Sequence, residues 1–139
     1  MIVLDTNIIS ELMKARPDPA VETWLAAQPA AGLFITTITE AELRYGVALL
    51  PASKRRDRLG GTVETMLIEE FADHILPFDS SAAIAYAVVA TERRQSGRPI
   101  SQFDAQIAAI ARSHGAALAS RNDKDFEGCG IDVINPWNA

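Results

Sequence analysis

The chain opens on the stretch Met1-Ile2-Val3-Leu4-Asp5-Thr6-Asn7. Three aliphatic residues followed at once by polar ones are typical of a short strand that is buried on both faces, as in parallel sheets. Ligands of open parallel sheets bind beyond the carboxyl ends of the strands. The stretch therefore predicts a parallel sheet that carries the Asp5 carboxylate and the Thr6 hydroxyl at its ligand-binding edge.

Apolar runs and helical patterns alternate along the rest of the chain. Further strands are predicted over residues 33–35, 75–78, 117–119 and 131–134, and helices over residues 8–14, 19–28, 39–50, 54–71, 80–94 and 100–112. Pro77 has no N–H to donate to a ladder, so the third strand is expected at an edge of the sheet. This alternation predicts a single α/β domain over residues 1–139, with a mostly parallel central sheet of four to five short strands flanked by helices on both faces.

Two details of the middle helices follow from single residues. Thr37 and Thr39 each precede a glutamate by three residues, which is the spacing of a capping box. Either threonine is therefore expected to cap the helix that begins there. Gly60-Gly61 is expected to be a weak point of the next helix, because glycine has no side chain to restrict its backbone.

The composition restricts the class of protein. Its 139 residues suit one domain, and 48% of them are hydrophobic against 22% charged, as in globular proteins. No apolar run approaches the roughly 20 residues that span a bilayer. Nothing at the N-terminus resembles a secretion signal, so the cytoplasm is the expected compartment. A lone Cys129 excludes an intramolecular disulfide, and with only two histidines there is no zinc site of the Cys/His type, so that any metal must be held by oxygen.

The charge distribution leaves one question open. A net charge of −5 argues against nonspecific coating of nucleic acid. Two local basic clusters, Lys54-Arg55-Arg56 with Arg58 and Arg93-Arg94 with Arg98, can either follow a phosphate backbone or form solvated helix faces. The sequence alone favours the solvated faces.

Acidic residues recur where predicted strands end or helices begin. They are Asp5, Glu40, Glu42, Asp104, Asp123 and Asp125. Carboxylates brought close together repel one another unless a cation neutralises them. Mg²⁺ or Mn²⁺ is the usual cation, and in such a site it activates a water molecule and stabilises charge on a phosphodiester. The alternative is that these acids only cap helices.

Four blocks of the sequence together resemble the PIN domain, specifically the VapC/FitB-type toxins of type II toxin–antitoxin modules. The blocks are LDTNIISE at residues 4–11, TITEAELRYG at 37–46, DAQIAA at 104–109 and SRNDKDF at 120–126. The resemblance extends over the whole chain and implies an endoribonuclease that depends on Mg²⁺ or Mn²⁺ and cleaves RNA. It also implies a homodimer and inhibition by a cognate antitoxin protein, in a larger toxin–antitoxin assembly.

The resemblance assigns roles to individual residues. It implies that Asp5, Glu42 (rather than Glu40) and Asp104 are catalytic and hold the metal, and that Thr6 supplies a hydroxyl beside the first acid. The chain departs from the family at Asn122, where many members carry a fourth aspartate.

An amide at position 122 still offers a carbonyl oxygen but no charge. Either the metal is held by three carboxylates, or Asp123 or Asp125 supplies a fourth. Arg121 adjoins this loop, and it is expected either to contact a substrate phosphate or to form a surface ion pair. Trp24 and Trp137 are expected to pack rather than to stack on bases.

Two rival interpretations remain from the sequence. A receiver-type signalling domain also binds Mg²⁺ in an acidic pocket. Such a domain needs paired acids after the first strand and a lysine near the last strand, and this chain has neither at those positions. A catalytically weakened PIN-fold protein that only binds RNA or its partner stays open because of Asn122. Metal-dependent cleavage by the purified protein separates these interpretations.

Overall fold

The computed structural model describes residues 1–139 and contains one five-stranded parallel sheet. The strands are β1 (Ile2–Leu4), β2 (Leu33–Thr36), β3 (Ile75–Leu76), β4 (Ala117–Ala119) and β5 (Val133–Ile134). Their order in the sheet is β3-β2-β1-β4-β5, and every neighbouring pair is parallel. The predicted fold class is confirmed, and the strand that precedes Pro77 lies at an edge as expected.

Strand β1 is the centre of the sheet. Val3 pairs with Phe34 of β2 on one side and with Leu118 of β4 on the other. The chain winds outward from β1 through β2 to β3, then returns to place β4 on the opposite side of β1. The junction of β1 and β4 is thus the topological switch point, where open α/β sheets bind their ligands.

Six helices cover the sheet. They are α1 (Thr6–Leu12), α2 (Pro19–Ala26), α3 (Thr37–Ala48), α4 (Lys54–Thr65), α5 (Ser80–Gln95) and α6 (Gln102–Ser113). All six were predicted, with boundaries displaced by a few residues at most, apart from α4. None of these helices is long and apolar enough to cross a bilayer.

The residue that caps α3 differs from the prediction. Thr36, the last residue of β2, is extended, and its hydroxyl accepts a 3.1 Å hydrogen bond from the backbone N–H of Thr39. The predicted caps Thr37 and Thr39 are therefore wrong. The reason is that β2 runs into α3 without a loop, so the cap comes from the strand itself.

The irregular part of the α4 segment also lies elsewhere than predicted. The helix passes through Gly60-Gly61 unbroken and widens into a π-helical turn only at Met66–Glu70. A β-carbon at position 60 would lie 3.4 Å from the Val47 side chain of α3. This is an ordinary van der Waals distance, so Gly60 packs against α3 without interrupting its own helix.

Two hydrophobic layers lie on opposite faces of the sheet, because successive residues of a strand point in opposite directions. Val3 and Leu118 pack with α5 and α6, in a layer whose helical members include Val89, Ile107 and Ile110. Leu4 packs in the other layer, which includes Ile8, Ile35, Leu43, Val63 and Leu67. Asp5 follows β1 directly, at the carboxyl end of the central strand.

Leucine truncations test this arrangement. Leu118 is fully buried in β4, so Leu118→Ala should lower the free energy of unfolding by about 2–5 kcal/mol. Leu49 is 65% exposed at the end of α3, so Leu49→Ala should change the free energy of unfolding by no more than about 0.5 kcal/mol. Urea denaturation of both variants measures the difference. Equal losses would contradict the assignment of the core.

Candidate active site

The Asp5 carboxylate is fixed at the switch point by hydrogen bonds from both sides. Asp5 caps α1, and its Oδ1 accepts from the backbone N–H of Thr6 at 2.8 Å. Its Oδ2 accepts from the Ser120 hydroxyl at 2.7 Å and from the Asn7 amide at 3.3 Å. Because Ser120 directly follows β4, a single carboxylate joins the ends of β1 and β4.

Glu42 faces the same region from α3. The Thr6 hydroxyl lies 3.1 Å from Glu42 Oε1 and 3.0 Å from the Thr39 hydroxyl. A carboxylate oxygen can only accept, so Thr6 donates to Glu42 and accepts from Thr39. Glu40 instead forms a 3.0 Å ion pair with Arg44 outside the site. The structure thus places Glu42, and not Glu40, beside Asp5 and Thr6.

Asp104 enters the site from the first turn of α6. Ser101 caps this helix and accepts a 3.2 Å hydrogen bond from the backbone N–H of Asp104. Asp5, Glu42 and Asp104 line one cleft of about 380 Å³. The other residues that line it are Thr6, Asn7, Ser10, Glu11, Lys14, Arg121, Asn122 and Trp137. Three carboxylates that are far apart in the sequence therefore share one cavity.

Burial makes all three carboxyls harder to ionise. It is the main reason why the pKa of each of Asp5, Glu42 and Asp104 is raised. Hydrogen bonds from Ser120 and Thr6 oppose this rise in the pKa of Asp5, whereas the negative charges of Asp104 and Asp125 add to it. The cleft is thus a site where carboxylates repel one another and a cation is favoured.

The loop after β4 separates the three candidates for an additional metal ligand. Asn122 lines the cleft, and its backbone N–H donates to the Ser120 hydroxyl at 3.1 Å. The Asp123 carboxylate accepts from the Asn135 amide at 3.3 Å and does not line the cleft. The charge of Asp125 raises the pKa of both Asp5 and Asp104. Asp125 does not line the cleft either, so it brings charge to the site and not a ligand atom.

Arg93 is a part of the site's support that the sequence did not reveal. Its side chain is buried, with 6% of the residue exposed, so the interpretation of its cluster as a solvated helix face is wrong for Arg93. The guanidinium donates to the backbone carbonyls of Arg98 at 2.7 Å and Asp125 at 2.6 Å, and to the Cys129 sulfur at 3.4 Å.

Arg93 has a structural and an electrostatic effect. Its hydrogen bond to Asp125 holds the short helical turn Asp123–Phe126 against α5. Its charge counteracts the rise in the pKa of Asp104. Its burial could have been predicted from its position in the sequence, because it lies four residues after the buried Val89 and so on the inner face of the same helix.

The donor set of the cleft fits a hard divalent cation. Its acids and Asn122 offer only oxygen ligands, which Mg²⁺ and Mn²⁺ prefer. No three Asp, Glu, His or Cys side chains of the chain lie close enough together to hold one ion among them. Mg²⁺ is usually bound through one or two carboxylates and keeps several waters. The cleft thus fits an open, partly hydrated ion better than a closed protein cage.

Comparison with known proteins finds relatives that match the whole chain. The PIN domain family model matches residues 2–130. The chain is 46% identical over 137 residues to the VapC ribonuclease Y4jK of Sinorhizobium fredii, covering 99% of this chain and 98% of that protein. The crystal structure of FitAcB from Neisseria gonorrhoeae superposes with a TM-score of 0.94, at 37% identity and with full coverage of both chains. A toxin-antitoxin complex from Klebsiella pneumoniae superposes with a TM-score of 0.71, at 27% identity and 98% coverage of both chains.

The raised pKa of Asp5 predicts a pH dependence of stability. The folded state holds the Asp5 proton more tightly than the unfolded chain does, for which the ordinary value is 3.8. The stabilisation that comes from this proton is therefore present below pH 3.8 and is lost as the pH rises through the raised value.

The difference in unfolding free energy between the wild type and Asp5→Asn isolates this effect. With a chelator present, the unfolding free energy of the wild type minus that of the variant should fall as the pH is raised from about 4 to about 8. Urea denaturation at a series of pH values measures it. A difference that is constant or rises with pH would show that Asp5 is not a buried, destabilised carboxylate.

Proposed function

The chain belongs to the PIN-domain family, and on that basis we propose that it is a metal-dependent endoribonuclease, the toxin of a toxin–antitoxin module. The observation that carries the proposal is the gathering of Asp5, Glu42 and Asp104 in one cleft at the switch point. The relative named as a VapC ribonuclease and the structural neighbour titled as a toxin-antitoxin complex support it.

The chemistry is divided between the ion and the chain. A bound Mg²⁺ or Mn²⁺ activates water and stabilises the charge that develops on the phosphodiester. Asp5, Glu42 and Asp104 would hold the ion together, one or two of them directly and the rest through its bound water, and Asn122 would offer it a carbonyl oxygen. Thr6 orients Glu42 through its hydroxyl. The RNA would place its scissile phosphate in the cleft, and Arg121, which also lines the cleft, would contact a phosphate.

An antitoxin is the proposed inhibitor, and the structure offers a groove for it. The helical groove lies between α1, α3 and α4 and has a volume of about 360 Å³. Its apolar lining comes from Met13, Leu43, Val47, Leu50, Leu59 and Val63. Thr6 and Glu42 line both the groove and the cleft. An amphipathic segment of the antitoxin therefore fits the groove, from which a basic side chain would reach the acids.

We also propose a homodimer that acts in the cytoplasm, where its RNA substrates are. Large apolar side chains on α5 and α6 are open to solvent in the single chain, with Ile84 72% and Phe103 60% exposed. Exposed apolar side chains of this size favour association. Light scattering of the purified protein measures its oligomeric state, and a monomer at all concentrations would contradict the dimer.

The weakened PIN-fold protein remains the second candidate, and one observation favours it. Position 122 lines the cleft but carries an amide in place of an acid. Against it stands the negative charge of Asp125, which acts on Asp5 and Asp104 from outside the cleft.

Substitution of the acids tests the nuclease. Asp5→Asn, Glu42→Gln and Asp104→Asn should each lower metal-dependent RNA cleavage by more than about 100-fold, the upper range for residues that merely support a metal ligand. Glu40→Gln is the matched control, since Glu40 lies on the same helix but pairs with Arg44. It should cleave at nearly the wild-type rate. Undiminished cleavage by any of the three variants would remove that residue from the site.

The fourth ligand is tested by two further variants. Asn122→Asp should tighten Mn²⁺ binding, because a carboxylate adds attraction that an amide lacks. Asp125→Asn should weaken Mn²⁺ binding if Asp125 supplies the missing charge. Asp123→Asn serves as the control, since Asp123 faces Asn135. Calorimetric titration with Mn²⁺ measures the affinities of all three variants. If Asn122→Asp and Asp125→Asn both bind Mn²⁺ with the wild-type affinity, this loop lies outside the metal site.

A further inference from the structure

The cleft is acidic at one end and basic at the other. Asp5 precedes α1, whereas Lys14 follows the end of α1, and both line the cleft. A helix of seven residues is about 10 Å long, so the two side chains start from opposite ends of α1, roughly that far apart. Arg121 and Trp137 also line the cleft. The proposed cleavage chemistry uses the acidic end and gives Arg121 only an unspecified phosphate contact, so Lys14 and Trp137 have no assigned role in it.

Arg121 and Trp137 form a pair that the surrounding backbone holds in place. The Arg121 guanidinium lies over the Trp137 ring, 5.2 Å from its centre. The Asn135 amide donates to the backbone carbonyl of Arg121 at 3.1 Å and accepts from the backbone N–H of Trp137 at 3.0 Å. The Arg121 N–H donates in turn to the Asn7 side chain at 3.2 Å. The pair is therefore linked through Asn7 to Asp5.

Lys14 is held in position but keeps its ammonium accessible. The Glu11 carboxylate is buried and accepts from Lys14 at 2.9 Å and from the backbone N–H of Asp18 at 3.0 Å. The Lys14 side chain is 58% exposed, and an ammonium has three hydrogens to donate. The hydrogen bond from Lys14 is the main reason why the pKa of Glu11 is lowered, and the charge of Arg121 adds to the effect. One carboxylate thus faces two cations, which leaves this end of the cleft with one net positive charge.

We propose that the basic end of the cleft is a subsite for one nucleotide of single-stranded RNA. Lys14 and Arg121 bind a phosphate away from the cleaved one, and the base stacks on the Arg121 guanidinium, which Trp137 supports from behind. The inference rests on the proposed nuclease function and adds to it a second binding position for the RNA, away from the cleaved phosphate. Arginine is suited to both tasks, because its planar group binds phosphate and stacks on rings. A base can stack in this way only when it is free of a duplex, as in single-stranded RNA.

Salt dependence of RNA binding tests the phosphate contacts. The protein is the Asp5→Asn variant, which binds without cleaving, and the probe is a short fluorescent single-stranded oligoribonucleotide. Adding Lys14→Ala or Arg121→Ala should each reduce the slope of log affinity against log salt by about 0.7, the value for one phosphate contact on a single strand. Lys54→Ala and Arg94→Ala are the matched controls, since both residues are exposed on helices and lie outside the cleft.

The two possible results have opposite meanings. If the slope of log affinity against log salt is reduced in the Lys14 and Arg121 variants but not in the two controls, the subsite is supported. Equal slopes for all four variants overturn it, since the contribution of these side chains would then be that of any surface charge.

Tryptophan fluorescence tests the stacking step directly. The chain has two tryptophans, so Trp24→Phe leaves Trp137 as the only reporter. In the Asp5→Asn background, RNA should change the Trp137 emission, whereas an oligonucleotide backbone without bases should not. Asn135→Ala should weaken the change, because it frees the Arg121–Trp137 pair. The same emission change with and without bases would overturn the stacking.

A cleavage assay on the chain with intact Asp5 separates this inference from the proposed function. If the wild type cleaves RNA with Mg²⁺ while Lys14→Ala and Arg121→Ala leave KM unchanged, the subsite is wrong and the nuclease stands. If the wild type does not cleave but the salt slopes differ as expected, the nuclease proposal fails and the RNA subsite stands.

Discussion

A carboxylate buried where β1 meets β4 is the constraint on which the rest of the site depends. Asp5 links the two strands through the hydroxyl of Ser120 and begins α1 through the backbone of Thr6. These contacts fix its position, but they do not remove the cost of burying a charge beside other acids. The fold thus holds like charges close together at the point where a parallel sheet binds its ligands.

Positive charge is arranged around these acids in two ways. Arg93 lies behind them, buried, and it ties the turn that carries Asp125 to α5. Lys14 lines the same cleft with an exposed side chain. The buried cation supports the structure of the site, whereas the exposed one is free to meet a substrate. The arrangement suits a polyanion whose scissile phosphate reaches the acids only when a metal ion accompanies it.

The sequence predicted those features that depend on local patterns. The apolar run before Asp5 identified the central strand, and the spacing of the four sequence blocks identified the family. The cap of α3 was missed because Thr36 belongs at once to a strand and to a helix. Arg93 was missed because three arginines close together in the sequence resemble a solvated surface, although one of them faces inward. The different surroundings of Asp123 and Asp125 depend on the fold of a short turn, which no periodicity encodes.

Thermal unfolding with and without Mn²⁺ tests the central claim most directly, because a bound cation should relieve the repulsion among the acids. At about 100 times its dissociation constant, a ligand that binds only the folded state adds about 2.7 kcal/mol of stability. The account predicts that Mn²⁺ raises the Tm of the wild type by several degrees and that of Asp5→Asn by much less. Superimposed melting curves of the wild type in Mn²⁺ and in chelator would contradict it.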